Sequence, residues 1–279
     1  MGNKKPPFDI TEEILDAVSE ISGLASRLNA DPGISASPAL RRTNRIRTIH
    51  SSLAIEQNTL SLEQVTAVLN GKRVLAPPKD IEEVKNAYEI YEIMDTLDPY
   101  SISDLMKAHG VMMRGLVAES GCFRSRPVGV VDGDGNIIHL GALPDYVPGL
   151  VGDLLEWVRN SDTHMLIKSC VFHYEFEFIH PFSDGNGRTG RLWHTLLLTE
   201  WDPMFAWLPV ESMIRDRQDE YYGAINRSNC EGSSTPFIEF MLSVIKEALE
   251  DAVETAKGDN AAGGSAVHTA QIGSFNREE

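Results

Sequence analysis

Apolar side chains recur every three to four residues along most of the chain, beginning with Ile10, Ile14, Val18 and Ile21, and that spacing gathers them on one face of a helix. This first segment fades through Asp31-Pro32-Gly33, a turn composition. Residues 39–57 predict a second helix. Ser61 with Gln64 predicts a capping box that opens a third, stopping at Asn70-Gly71. Pro77-Pro78 then breaks the chain. The same periodicity predicts helices at about 80–96, 101–117, 145–159, 163–179, 187–200, 212–228 and 236–256, mostly bounded by Pro, Gly, Ser or Asp.

One stretch has a different period. Val128-Gly129-Val130-Val131, a turn at Asp132-Gly133-Asp134-Gly135, and Asn136-Ile137-Ile138-His139-Leu140 predict a β-hairpin. The fold class expected is therefore mainly α with a single β-hairpin. The Asp132-x-Asp134-x-Asn136 spacing hints at a calcium loop, but Ile137 and Leu143 stand where such a loop needs Gly and Glu, so calcium is rejected. From Gly258 to Glu279 the chain is rich in Gly, Ala, Ser and Asn without periodicity, which predicts a mobile tail.

The 279 residues, 42% of them hydrophobic, suffice for a packed core. A net charge of −16 argues against nucleic acid as a partner, because a phosphate-backbone binder needs a basic footprint. The cluster Arg41, Arg42, Arg45 and Arg47 fits the solvated side of a helix instead. Cys122, Cys170 and Cys230 lie far apart with no C-x-x-C pair, which suggests neither a zinc ribbon nor a disulfide framework and favours a cytoplasmic setting. The N-terminus has no apolar signal stretch, Pro6 stands where a myristoylation motif wants Ser or Thr, and no run approaches the roughly 18 apolar residues that span a bilayer.

The chemistry concentrates in His180-Pro181-Phe182-Ser183-Asp184-Gly185-Asn186-Gly187-Arg188-Thr189-Gly190-Arg191, between two helical segments. Pro181 helps end the first of these, whose apolar face carries Met165, Phe172, Phe176 and Ile179. Gly185-Asn186-Gly187 precedes the next helix, so backbone N–H groups and the positive end of the helix dipole can face an anion. Arg188 and Arg191, three apart, share a helix face suited to terminal phosphate oxygens. Asp184 is placed to hold a Mg²⁺ that bridges phosphates. His180 carries an imidazole, the side chain best suited to take a proton from a hydroxyl near neutral pH. Gly185-x-Gly187-x-x-Gly190 also matches a dinucleotide fingerprint, but a helix and not a strand precedes it, and a P-loop would need G-x-x-x-x-G-K-[ST].

These twelve residues match in full the H-P-F-x-D-G-N-G-R-x-x-R signature of the Fic family, nucleotidyltransferases that mostly move AMP from ATP to Ser, Thr or Tyr of target proteins, and the resemblance extends over about residues 40–250. It implies a Fic-type helical bundle in which the 128–140 hairpin, with Gly121-Cys122-Phe123-Arg124 before it, is a flap that aligns a target segment by β-augmentation. By that resemblance His180 would deprotonate the target hydroxyl, Phe182 would anchor the loop in the core, and Asp184 would carry Mg²⁺ between the α- and β-phosphates of ATP. Gly185, Asn186 and Gly187 would form the anion hole, and Arg188 and Arg191 would bind the β/γ end. Tyr222, which follows Tyr221, would lie near adenine, and Asn229 near base or ribose.

Ser51-Ser52-Leu53-Ala54-Ile55-Glu56-Gln57-Asn58 resembles the family's inhibitory motif, [ST]-x-x-x-E-[GN], with Ser52 and Glu56 in the matching places and Gln57 departing from it. The resemblance implies that Glu56 pairs with Arg191 and misplaces the nucleotide. The organisation expected is a helical region at 1–97 containing the inhibitory helix (about 39–57), a catalytic core at 98–257, and a tail at 258–279. The activity expected is protein adenylyltransfer from Mg-ATP, restrained by Glu56. Rival readings are removal of AMP, transfer of another nucleotide, and a module that binds nucleotide without turnover. Self-modification and a homodimer stay open.

Overall fold

The computed structural model describes residues 5–30, 38–131 and 137–270, with side chains for all of these but 130–131, 137–139 and 256–270. Its helices follow the periodicity of the sequence. Helix α1 (Glu12–Asn29) starts where the Thr11 hydroxyl accepts the Ile14 amide at 3.2 Å. Helix α2 spans Pro38–Ile55. The predicted capping box opens α3 (Leu62–Leu69): Ser61 Oγ accepts from the Gln64 amide, and Gln64 Oε1 accepts from that of Ser61. Helix α4 (Pro78–Glu92) carries proline in its first turn, where a missing N–H costs nothing. Helix α5 covers Ile102–Met112, five residues short of its expected end at 117, because the chain bends away at Met113.

Strands β1 (Gly129–Val131) and β2 (Ile137–Leu140) pair antiparallel, with Gly129 opposite Leu140 and an irregularity between Val130 and Val131. The expected turn between them, including the rejected calcium pattern, lies outside the described residues. After the hairpin come α6 (Val147–Asn160), α7 (Met165–Ile179) and α8 (Asn186–Trp201). The single helix expected over 212–228 is two, α9 (Val210–Asp216) and α10 (Gln218–Glu231), broken at Arg217. Helix α11 runs Thr235–Ala270, so the backbone stays helical into the stretch expected to be a tail. Residues 271–279 lie outside the described residues.

Helices α7 and α8 form the centre. α7 is buried around most of its circumference, beyond the single face that Met165, Phe172, Phe176 and Ile179 predict, and every residue of α8 from Arg188 to Leu198 is buried. Helices α6 and α11 pack on α7, and α2 and α5 on α8. α1 lies along α11, and α2 also meets α4 and α9. One apolar cluster runs from Phe8 to Leu249, so the N-terminal helices share their core with the rest. None of the described helices is long and apolar enough to cross a membrane.

Candidate active site

The loop between α7 and α8 is held from several sides. His180 caps α7 in the left-handed region, at φ +52°, a conformation that costs a non-glycine residue and recurs at functional sites. Its amide still closes on Phe176 O at 2.9 Å. Its carbonyl accepts Arg124 Nε at 2.7 Å, and the buried Arg124 guanidinium also donates to the carbonyls of Arg126 and Ala142. One arginine thus ties the loop to the segments flanking the hairpin. A Cβ on Gly141 would lie 2.9 Å from the Arg124 guanidinium and 3.2 Å from His180 Cβ, so only glycine lets β2 exit this close to the loop.

Phe182 is fully buried and stacks on His109 with centroids 3.7 Å apart. His109 Nδ1 accepts the Gly121 amide at 2.9 Å, which leaves Nε2 to donate to the Asp184 carbonyl at 3.0 Å. Burial lowers the His109 pKa, keeping the ring in this neutral tautomer. The Asn186 side chain exchanges two hydrogen bonds of 2.9 Å with the Phe182 backbone. It pins the loop, and only its amide is left to face an anion.

Gly185 sits at φ +83°, and a Cβ there would meet Met113 Sδ at 2.5 Å. From it α8 begins, with first-turn amides that no intrahelical carbonyl can satisfy. Asp184 is half exposed; its Oδ1 accepts from the Gly185 amide at 2.6 Å and from Arg188 Nη2 at 3.2 Å. His180 Nδ1 lies 3.3 Å from Glu177 O. A carbonyl only accepts, so Nδ1 bears the proton and Nε2 is left basic.

Glu56 reaches this helix start from α2. Its Oε1 accepts Arg191 Nη2 at 2.7 Å, while Ser52 takes the same guanidinium at Nε through its hydroxyl (3.1 Å) and at Nη2 through its carbonyl (3.0 Å). A Cβ on Gly187 would collide with Glu56 Oε1. The carboxylate therefore occupies the mouth of the helix, where an anion is best stabilised. Burial opposes the charge of Arg191, yet Glu56, Tyr221 and Glu177 outweigh it and hold its pKa above the ordinary value.

A turn of defined type presents Glu56. Gln57 N donates to Ala54 O at 3.0 Å and Asn58 N to Leu53 O at 3.1 Å, with Gln57 at φ +65°. This is the Schellman closure, whose left-handed residue is usually Gly or Asn. Gln57 departs from the inhibitory pattern at the position where the backbone penalises it.

A Fic/DOC family model matches residues 99–198. The crystal structure of a Fic family protein from Desulfovibrio desulfuricans is 50% identical with a TM-score of 0.88, and the match covers 91% of this chain and 78% of that one. The chain belongs to the Fic family. The protein adenylyltransferase fic-1 of Caenorhabditis elegans is 30% identical over 221 residues, 74% of this chain and 41% of that protein. This chain thus spans less than half the length of such curated relatives. A structure of Fic-1 from the same nematode shares the fold at 23% identity, with a TM-score of 0.72 and coverage of 88% of this chain and 73% of that one.

Other site residues of this Fic protein have partners within the fold that the sequence did not announce. Arg188, expected at the phosphates, has its guanidinium between Glu83 (3.0 Å) and Asp184. Tyr222 is half exposed on α10 beside Gln218, with burial first and then Glu56 raising its pKa. Asn229, two turns further on, accepts the Tyr174 hydroxyl at 2.9 Å. Glu83, His109 and Glu177 were missed, and Arg124 was read only as part of the segment before the hairpin, without its hold on the loop. Glu83 lies on the apolar stripe with Val84, Ala87 and Ile90, and His109 on that with Leu105 and Met112. A charged or polar residue on an apolar face was the legible signal in both.

Proposed function

We propose that this chain is a protein adenylyltransferase held at rest by Glu56, with residues 98–257 as catalytic core and 1–97 carrying the brake. The observation that supports this best is the Glu56 carboxylate, paired with Arg191, over Gly187 at the start of α8. When Glu56 withdraws, Arg191 and the helix start at Gly187 are released together, and the amides of Gly185, Asn186 and Gly187 would form the anion hole for the phosphates of ATP, that of Gly185 once Asp184 turns to the metal. His180 Nε2 takes the proton of a Ser, Thr or Tyr hydroxyl, the hydroxyl oxygen bonds to the α-phosphorus, and the bond to the β-phosphate oxygen breaks to release pyrophosphate. A single half-exposed carboxylate beside phosphate oxygens fits the ligand set of Mg²⁺, so Asp184 would hold the metal, which supplies charge neutralisation on the phosphates. Positioning and electrostatic stabilisation carry most of the rate. Tyr222 and Asn229 would flank the nucleoside, and the 128–140 hairpin would align the target.

The test is transfer from α-labelled ATP with magnesium, read as self-modification and as labelling of lysate proteins. Glu56→Gly is expected to raise labelling and Glu56→Gly with His180→Ala to abolish it; equal labelling in wild type and Glu56→Gly would remove the brake. The part-exposed Glu56 carboxylate at the mouth of the site also favours a second reading, in which it positions a water to remove AMP. Loss of label from a modified target with wild type but not Glu56→Gly distinguishes it.

A further inference from the structure

Glu83 connects two parts of the site that the chemistry above leaves separate. It is buried on α4, with one carboxylate oxygen facing each way. Oε1 accepts Arg188 Nη1 at 3.0 Å, and Oε2 accepts Asn58 Nδ2 at 2.8 Å. On the first side, Arg188 passes the contact to Asp184 through Nη2. On the second, Asn58 belongs to the Schellman closure that presents Glu56, and its side chain also donates to Asp80 O at 3.1 Å and accepts the Leu60 amide at 3.1 Å. The neighbouring Thr59 amide donates to Asp80 Oδ2 at 3.0 Å. The N-terminal turns of α4 thus grip the segment after Glu56 and the loop's first arginine with the same buried carboxylate.

We propose that Glu83 is a positioning residue that couples the Glu56 turn to the phosphate loop, and that Arg188 serves to orient Asp184 and not to grip the terminal phosphates. The proposal rests on the adenylyltransferase reading for its consequence in turnover, but the coupling itself is a property of the resting protein. Release of the turn lets Asn58 leave Oε2, and Glu83 then follows its Oε1 partners, Arg188 at 3.0 Å and the exposed Lys79 ammonium at 3.8 Å. A nucleotide that draws Asp184 outward loosens Arg188 and weakens the hold on the turn. Each event favours the other, as linkage between two sites requires.

Amide hydrogen exchange on the full chain tests this without nucleotide. Arg188→Lys, made on the loop side, is expected to speed exchange across 53–59 on the order of tenfold, and Asn58→Ala to do the same across 182–188. Both cross-effects should vanish when Glu83→Gln is added, because one amide group cannot accept from both partners. If each variant loosens only its own side, or the cross-effects persist with Gln at 83, the coupling is wrong. Should Glu83→Gln fail to fold, the two single variants still decide it, since both retain Glu83. Calorimetry with Mg-ATP supplies the functional arm: Asn58→Ala is expected to bind it more tightly than wild type, and unchanged affinity counts against the coupling. If Glu56→Gly binds no nucleotide, the adenylyltransferase reading falls while the exchange result stands.

Discussion

Arg191 Nη2 and Glu56 Oε1 meet at 2.7 Å, with the guanidinium wholly buried and the carboxylate about a third exposed. The asymmetry matters, because the exposed partner can leave toward solvent while the buried one stays. Glu56→Gly is expected to raise Mg-ATP affinity at least tenfold, the scale of a charge-assisted bond. Ser52→Ala removes only the Nε contact and should raise it by a smaller factor. Titration calorimetry checks both, and a larger effect from Ser52→Ala than from Glu56→Gly would contradict this arrangement.

Gln57 pays for its left-handed backbone. Gln57→Gly relieves a strain of about 1 kcal/mol at the closing position of a Schellman turn. The variant should melt higher by a few degrees and show lower basal labelling, because the turn holds Glu56 more firmly. Thermal melting alongside α-labelled ATP transfer measures the two effects. A lower melting temperature would mean that the turn is not strained.

The helices and the loop were legible because they rest on local signals: apolar spacing, the Ser61 and Gln64 capping pair, and a glycine run before a helix. Glu56 was legible only through the resemblance of Ser52 and Glu56 to the family's inhibitory motif. Its place over Gly187 was not, since residues 131 positions apart meet only once α2 packs on α8. Arg124 shows the limit most clearly. It follows Phe123 in a loop without periodicity, and its four carbonyl acceptors become neighbours only when the hairpin base and the end of α7 converge.

Replacing that arginine tests how the loop is held. Arg124→Lys keeps the charge but offers one ammonium to carbonyls spread around a planar fork. Buried acceptors left unpaired cost about 1–3 kcal/mol each, so a loss of at least 2 kcal/mol in urea-induced unfolding is expected. Because Arg124 Nε holds the His180 carbonyl, turnover measured in the Glu56→Gly background should fall at least tenfold, with a smaller change in Mg-ATP affinity. Equal losses in turnover and affinity would mean that Arg124 acts on the whole site and not through His180.

Glu177 gives the site a dependence on pH. Burial first, opposed by Arg191 and reinforced by Glu56, pushes its carboxyl from 4.5 up to about 8, and its buried Oε1 has no hydrogen-bond partner. The folded state therefore keeps a proton that the unfolded chain releases near the ordinary carboxyl value. Stability from this group is fully present below about pH 4.5 and is lost as pH rises through about 8. Glu175, raised to about 7 by burial, adds a similar slope over the lower part of that window. Glu177→Gln leaves the Glu175 contribution in place and removes only the first. Its melting temperature should fall less steeply than that of wild type between pH 5 and 8, with the largest advantage at the upper end. Parallel curves for the two proteins would mean that Glu177 is ionised in the fold, in which case it shares Arg191 with Glu56 and the variant should instead weaken the hold on that arginine.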